Sequence, residues 1–357
     1  MRLKTLAIAL AATCGVGTLS AQDFEWELRF DTKFDNHERD NLGLEPIKSQ
    51  TLFSTRIAPS VGIGWESDQG RHRVMAGGSV TLDMGAPLDN RPHEPLIWYN
   101  LEAPRYAIHA GKFERRNLTG VYSRAIYAGI ALFYDNVIDG MAARYRKEGL
   151  RAEVVLDWDG MRSADTRESF RAMLSGSADW SRLPFARWVE GGYSLDWYHL
   201  AHTAGGREGV VDHILLDVWI GAGLHRVIPW FDELSLHVGA MMSEDRDRAV
   251  GREWISPKGV TADFTVQKWR FGIGNRFYGG EQQMPLFGTY GNRLYKGDPF
   301  YAAARLYNYT RVFWKPSIGR GVDLTLEAGF HTDGKKMGYQ QTALIGFTLN
   351  NDFFKKK

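Results

Sequence analysis

Cysteine is almost absent from this chain: Cys14 is the only one in 357 residues, and it falls in a segment that reads as a leader. Met1-Arg2-Leu3-Lys4 is basic, Leu6 to Val16 is apolar and Thr18-Leu19-Ser20-Ala21-Gln22 is small and polar, the order of a secretory signal cut after Ala21. The mature chain, residues 22–357, then has no disulfide, no thiolate metal site and no cysteine nucleophile. A rival reading makes Cys14 a lipidated first residue, because Ala12-Thr13-Cys14-Gly15 loosely resembles a lipoprotein cut site; Thr13 argues against it. Long apolar runs are lacking too. The leader's stretch is shorter than the roughly 20 residues a membrane helix needs, and no later uncharged apolar run is long enough to span as a helix. Nor is one sign of charge in excess: of 44 basic residues Arg2 and Lys4 leave with the leader, which balances the remainder against 42 acidic ones. Nucleic acid, which needs a clustered basic surplus, is therefore not an expected partner. Helical histidine pairs, phosphate loops and dinucleotide glycine motifs are missing as well, so neither a metal nor a cofactor is expected. Glu244-Asp245-Arg246-Asp247 is at most a weak attractor of cations.

What the sequence has instead is alternation, which sends successive side chains to opposite faces of a strand. In Phe24-Glu25-Trp26-Glu27-Leu28-Arg29-Phe30-Asp31 four large apolar residues oppose four charges. Residues 53–66 and 73–84 repeat the design around a turn at Ser67-Asp68-Gln69-Gly70. The same count places further strands near 96–103, 106–113, 138–146, 149–158, 169–180, 186–200, 210–225, 234–243, 259–267, 269–279, 300–314, 322–332 and 339–350. That makes sixteen, with short connections alternating with long ones. The predicted fold is all-β: a transmembrane, antiparallel, up-and-down β-barrel of about 16 strands, with both termini and the short turns periplasmic and eight longer loops outside. No linker or composition break divides it, and Trp26, Trp65, Trp98, Trp158, Trp180, Trp197, Trp269 and Trp314 fall near strand ends, where interfacial girdles belong.

An apolar face turned to lipid leaves the charged face to line the lumen, and water or ion partners must satisfy it. The pore-lining candidates are Arg56, Arg73, Asp83, Arg144, Arg151, Glu153, Arg171, Asp217, Arg270, Arg305, Arg311 and Glu327. Each taken singly also reads as half of a wall ion pair. Two long loops are candidates to narrow the lumen. Residues 114–137 carry Arg115, Arg116, Arg124 and Asp135 around the apolar run 125–134, which is expected to fold onto something such as the inner wall. The other is Gly- and Tyr-rich, at 279–299. An external cap or a partner-binding surface is the competing reading for both.

The leader, the alternating strands, the alternating loop lengths and the charged lumen together resemble the general porins and related Gram-negative outer-membrane barrels. Locally, Ala110-Gly111-Lys112-Phe113-Glu114-Arg115 is similar to the strand that substrate-selective porins place before a constriction loop. Thr342 to Phe354 has the character of a closing strand with a terminal aromatic, although Lys355, Lys356 and Lys357 follow it. The resemblance implies an outer-membrane channel for passive diffusion, with outer-membrane lipid, small hydrophilic solutes and copies of itself as partners, and no enzyme. The runner-up is a closed barrel whose loops bind a partner. A hydrolase ranks third, with His331 and Asp333, His199 and His202, or Asp157 and Asp159 as its candidate sets; none of these spacings demands catalysis.

Overall fold

The structure, a computed structural model, describes residues 22–42, 48–87, 93–180, 186–224, 228–302 and 305–353. The leader with Cys14 and the closing Lys355 to Lys357 lie outside them.

Sixteen antiparallel strands close into one barrel. In chain order they are β1 (Asp23–Glu38), β2 (Gln50–Ser67), β3 (Gly70–Asp83), β4 (His93–Glu102), β5 (Tyr106–Glu114), β6 (Val137–Lys147), β7 (Leu150–Gly160) and β8 (Ser169–Asp179). There follow β9 (Trp188–Leu200), β10 (Val211–Gly223), β11 (Glu233–Asp247), β12 (Lys258–Lys268), β13 (Phe271–Gly280), β14 (Arg305–Trp314), β15 (Val322–Thr332) and β16 (Met337–Asn350). A short strand, Ser317–Gly319, continues β14 beyond Pro316 against β15. Each strand pairs with its sequence neighbour, and β1 pairs with β16 from Glu27↔Asn350 to Glu38↔Tyr339, so no edge remains to be satisfied. The first and last described residues lie at the turn end, where Asn351 Oδ1 accepts the Trp26 amide at 2.8 Å.

The alternation does what it predicts. Phe24, Val61, Ile97, Val154, Ile220 and Val260 stand exposed on the outer face, forming a continuous apolar band that only a membrane would cover. Asp31, Arg56, Glu153, Asp157, Arg171 and Asp217 are buried on the inner face. Four details differ. β1 and β11 run on to Glu38 and Asp247, past the predicted ends. The expected start of β14 at residue 300 is instead a turn of 3-10 helix, Pro299–Ala302, and the strand begins at Arg305 with φ +84°. Trp98 points inward and packs on the lumen core rather than joining a girdle. Arg270, predicted to line the pore, sits with Trp269 in the β12–β13 turn, at φ +73° and +47°. A two-residue hairpin whose twist matches its strands needs left-handed backbone at both positions, so the turn takes Arg270 off the wall.

The lumen is filled. The connection between β5 and β6 carries helix α1 (Gly129–Tyr134), and with the β13–β14 connection it folds into the barrel. Ala125, Ile126, Tyr127, Met284, Leu294, Tyr295, Phe300 and Tyr301 there join wall residues such as Phe113, Val155, Met173, Leu215 and Tyr307 in one buried core. The two connections hold each other through Ala128 N to Lys296 O (3.0 Å), Asp298 N to Arg124 O (2.7 Å), and ion pairs Arg124–Asp298 (3.2 Å) and Lys296–Asp135 (2.6 Å). Where they meet, Gly297 leaves no room: a Cβ there would lie 1.8 Å from the Ala125 carbonyl oxygen. Gly297→Ala is therefore expected to force the two segments apart at about 1–3 kcal/mol, read as faster proteolysis of both in the folded barrel.

The plug also has a defined acid limit. Burial works to raise the Asp135 pKa, but Arg115 and Lys296 outweigh it and hold it below 3.8. A carboxylate depressed on folding stabilises above its unfolded pKa, and that contribution is lost as pH falls through the folded value. The difference in plug cleavage between wild type and Asp135→Asn is thus expected to persist through neutral pH and to shrink only well into the acid range. A difference that disappeared near neutrality would contradict this.

Candidate functional site

Most inward charges anchor the plug or brace the wall. Glu153 accepts from Thr119 N (2.8 Å), Gly120 N (2.9 Å) and Tyr122 OH (2.8 Å). Hydrogen bonds to a charged group contribute about 1.5–3 kcal/mol each, so one carboxylate fixes the start of the plug. Arg115 donates to Asp157 (2.8 Å), the Asp135 carbonyl (2.8 Å) and the Val137 carbonyl (3.0 Å). Arg171 joins Asp196 and the Leu294 carbonyl, and Arg116 pairs with Glu114. Arg73 binds Asn100 Oδ1 (2.8 Å), Asp83 accepts from Ser54, Arg144 pairs with Glu102 and Arg151 with Glu190. Arg305 only opens its strand, exposed. Asp217 and Arg311 line a cavity of about 270 Å³, and Arg311 pairs with Glu327 at 3.0 Å.

A second cavity, of about 440 Å³, lies between α1, the segment around Asp298–Phe300 and the wall of β1, β2 and β14 to β16. Arg56 secures its floor by donating to Asp31 (2.7 Å) and to the Phe133 carbonyl (3.1 Å), while Tyr134 OH meets Ser54 at 2.5 Å. Its lining holds eight Lys or Arg side chains against four carboxylates, an environment that favours an anionic ligand.

At its long-loop end stands a hydrogen-bonded chain that sequence reasoning missed. Asp35 accepts from His37 Nε2 (2.6 Å), Lys33 Nζ (2.8 Å) and Gln340 Nε2 (2.7 Å). Gln340 Oε1 meets His331 Nε2 at 3.0 Å, and His331 Nδ1 meets Tyr307 OH. With Nε2 committed to Asp35, His37 Nδ1 is buried and has no partner. Arg39, immediately beyond β1, also lines the cavity; its guanidinium stacks on Phe300 at 4.9 Å and its Nε lacks an acceptor. Burial draws the Arg39 pKa below its usual value, with Asp298, Tyr307 and Asp35 pulling the other way. Such a set has an oriented base and an undersatisfied cation side by side.

Two of the three sets named from sequence do not form, and in the third one member is already committed. Asp333 accepts the Lys335 and Lys336 amides rather than touching His331. His199 pairs with Asp212 (2.8 Å), on the outer wall, rather than with His202, and Asp157 is bound to Arg115. No cluster of three or more His, Cys, Asp or Glu suited to a metal occurs among the described residues.

No curated protein matches the chain. Among solved structures it is similar to OmpTΔL8, a loop-deletion mutant of an outer membrane protein of Vibrio cholerae (11% identity, 92% of this chain and 100% of that one, TM-score 0.55). It is likewise similar to Pseudomonas aeruginosa OccK2 (OpdF) in complex with glucuronate (6%, 92% and 98%, 0.52) and to OprD of the same organism (10%, 93% and 95%, 0.50). At these identities the likeness is one of fold, that of a Gram-negative outer-membrane barrel. The model of the family described as Lipid A 3'-O-deacylase-type matches residues 19–357. That is an enzyme family, and it overturns the expectation of a barrel without enzymatic activity.

Proposed function

Because the chain belongs to the Lipid A 3'-O-deacylase-type family, we propose that it is an outer-membrane esterase that removes an acyl chain from a sugar oxygen of a lipid A-like glycolipid. The observation that carries the reading is His37, a residue lining the cationic cavity, whose Nε2 is fixed by Asp35 while its buried Nδ1 has no hydrogen-bond partner. A histidine oriented through one nitrogen serves as a base through the other. Water attacks the ester carbonyl carbon and yields its proton to His37 Nδ1. The tetrahedral oxyanion is stabilised by Arg39, which has donors to spare. Collapse breaks the bond between the acyl carbon and the sugar oxygen, and the imidazolium returns the proton to that oxygen, leaving a carboxylic acid and a hydroxyl. Since the wall is closed all round, substrate reaches the site over the long-loop rim, which we place on the outward side of the membrane; His37 is one residue from the end of β1.

Purified barrel incubated with lipid A in mixed micelles should release free fatty acid and leave a product lighter by one acyl group in the mass spectrum. A folded barrel that leaves lipid A intact under all such conditions would sink the proposal. Passage of small hydrophilic solutes is a second, compatible role, favoured by Arg124, Tyr309 and Arg311 bordering both cavities. Single-channel steps in a planar bilayer that widen in Gly297→Ala would support it.

A further inference from the structure

On the opposite side of the barrel, the outer wall carries a polar cluster where only lipid is expected to lie. Asp212 on β10 accepts from His199 (2.8 Å), Arg246 (3.0 Å) and Arg248 (2.8 Å), all on the membrane-facing side near the long-loop end. Two guanidiniums share one carboxylate, each through a single nitrogen, so guanidinium donors are left over. Arg246 stacks on Trp254 at 4.1 Å, and its Nε is buried without an acceptor. Glu244, two residues back on the same strand face, accepts from the Ser256 hydroxyl at 2.5 Å and makes no ion pair with either guanidinium. His199 packs on Phe170, whose ring also touches Trp158 and Trp197 at 5.4 Å each. Outward aromatics of this kind mark the depth of lipid headgroups.

Further along the wall runs an apolar groove of about 540 Å³, lined by Leu216, Val218, Ala240, Met242 and Val260, with Lys258 also in its lining. Leu216 lies four residues along β10 from Asp212 on the same face, about 13 Å away. Cations at headgroup depth leading into an apolar channel are complementary to one kind of molecule: a phosphate with an acyl chain attached. The indole beside the guanidinium adds a flat apolar face suited to a sugar ring next to that phosphate.

The geometry points to this wall as a docking site for a phosphorylated glycolipid of the surrounding leaflet, its phosphate on Arg246 and Arg248, its sugar against Trp254 and an acyl chain in the groove. The occupant is taken as a glycolipid on the strength of the family reading above, whereas the cluster itself does not depend on His37. It is a lipid site on the outer wall, separate from the cavity in the lumen.

The test is native mass spectrometry of the detergent-purified full barrel titrated with diphosphorylated lipid A, its dephosphorylated form, phosphatidylglycerol or inorganic phosphate, with retained folding checked by heat-dependent gel mobility. Diphosphorylated lipid A is expected to bind at least tenfold more tightly than its dephosphorylated form and than phosphatidylglycerol, without competition from inorganic phosphate at millimolar concentration. The change Arg246→Ala with Arg248→Ala should weaken it at least tenfold, and Val260→Trp, which fills the groove without touching the cations, should do so as well. Equal binding by folded double variant and wild type, or equal binding of phosphatidylglycerol, would overturn the assignment. The His37→Ala barrel should bind as wild type does, so failure of the hydrolysis proposal and failure of this one are told apart.

Discussion

Replacing His37 by alanine is expected to cut ester hydrolysis by about 10²–10⁴-fold, the usual contribution of a positioned general base, with the barrel still folded. The change removes a ring that lines the cavity, with Nε2 bound to Asp35 and Nδ1 buried without a hydrogen-bond partner. Asp35→Asn should also be slow, because an amide can present its N–H to Nε2 and favour the wrong tautomer, but it leaves the ring in place and should cost less. Two readouts separate a base from a structural histidine. Millimolar imidazole should restore part of the rate to His37→Ala, and His199→Ala, which breaks the outer pair with Asp212, should keep at least half of it. Should His199→Ala lose the activity while His37→Ala retains it, the base is on the outer wall and the lumen assignment is wrong.

Why His37 escaped a reading of the sequence is physical. The alternation that reveals a barrel strand depends on contrast between lipid-facing and lumen-facing residues. In β1 that contrast ends at Phe34, since the outward positions that follow, Asn36 and Glu38, are past the apolar band and polar like Lys33, Asp35 and His37 opposite them. Pairing with Gln340 and Tyr339 keeps the backbone extended regardless. β11 hides its end for the same reason: Glu244-Asp245-Arg246-Asp247 looks like an acidic loop yet sends Asp245 and Asp247 inward and Glu244 and Arg246 outward. By contrast, all sixteen strands were legible, and so was the need of 114–137 to bury its apolar run, although the inner wall and an external cap were both open as its place. Each involves enough apolar residues for burial to dominate, as with Ala125, Ile126, Tyr127 and Phe133. The partners of individual charges were not legible, because strand neighbours such as Asp212 and His199 meet through register, and plug contacts such as Arg171 with Leu294 join segments far apart in the chain.

Removing Arg171 is expected to destabilise the barrel more than any other single charge change, by about 3–5 kcal/mol. Arg171 and Asp196 are each only 1% exposed, so neither can turn to water if its partner is lost. Arg171 also donates to the Leu294 carbonyl at 2.8 Å and lies over Tyr198 at 4.8 Å, tying the β13–β14 connection to β8 and β9. In Arg171→Ala, Asp196 would keep only His213, 3.8 Å away and already bound to Asp245 at 2.9 Å. Asp245 in turn receives Tyr295 OH at 2.6 Å, so the loss spreads to a second anchor of the same plug segment. The penalty is that of one uncompensated buried charge rather than the net worth of the pair, and the distinction can be measured. Arg171→Met combined with Asp196→Leu removes both charges while keeping volume, and should fall within about 1–2 kcal/mol of wild type although each single change is severe. The folded fraction across a urea series in lipid micelles reads both quantities. If the double variant lost as much as the two singles added together, the pair would be acting through packing of the plug and not through its charges.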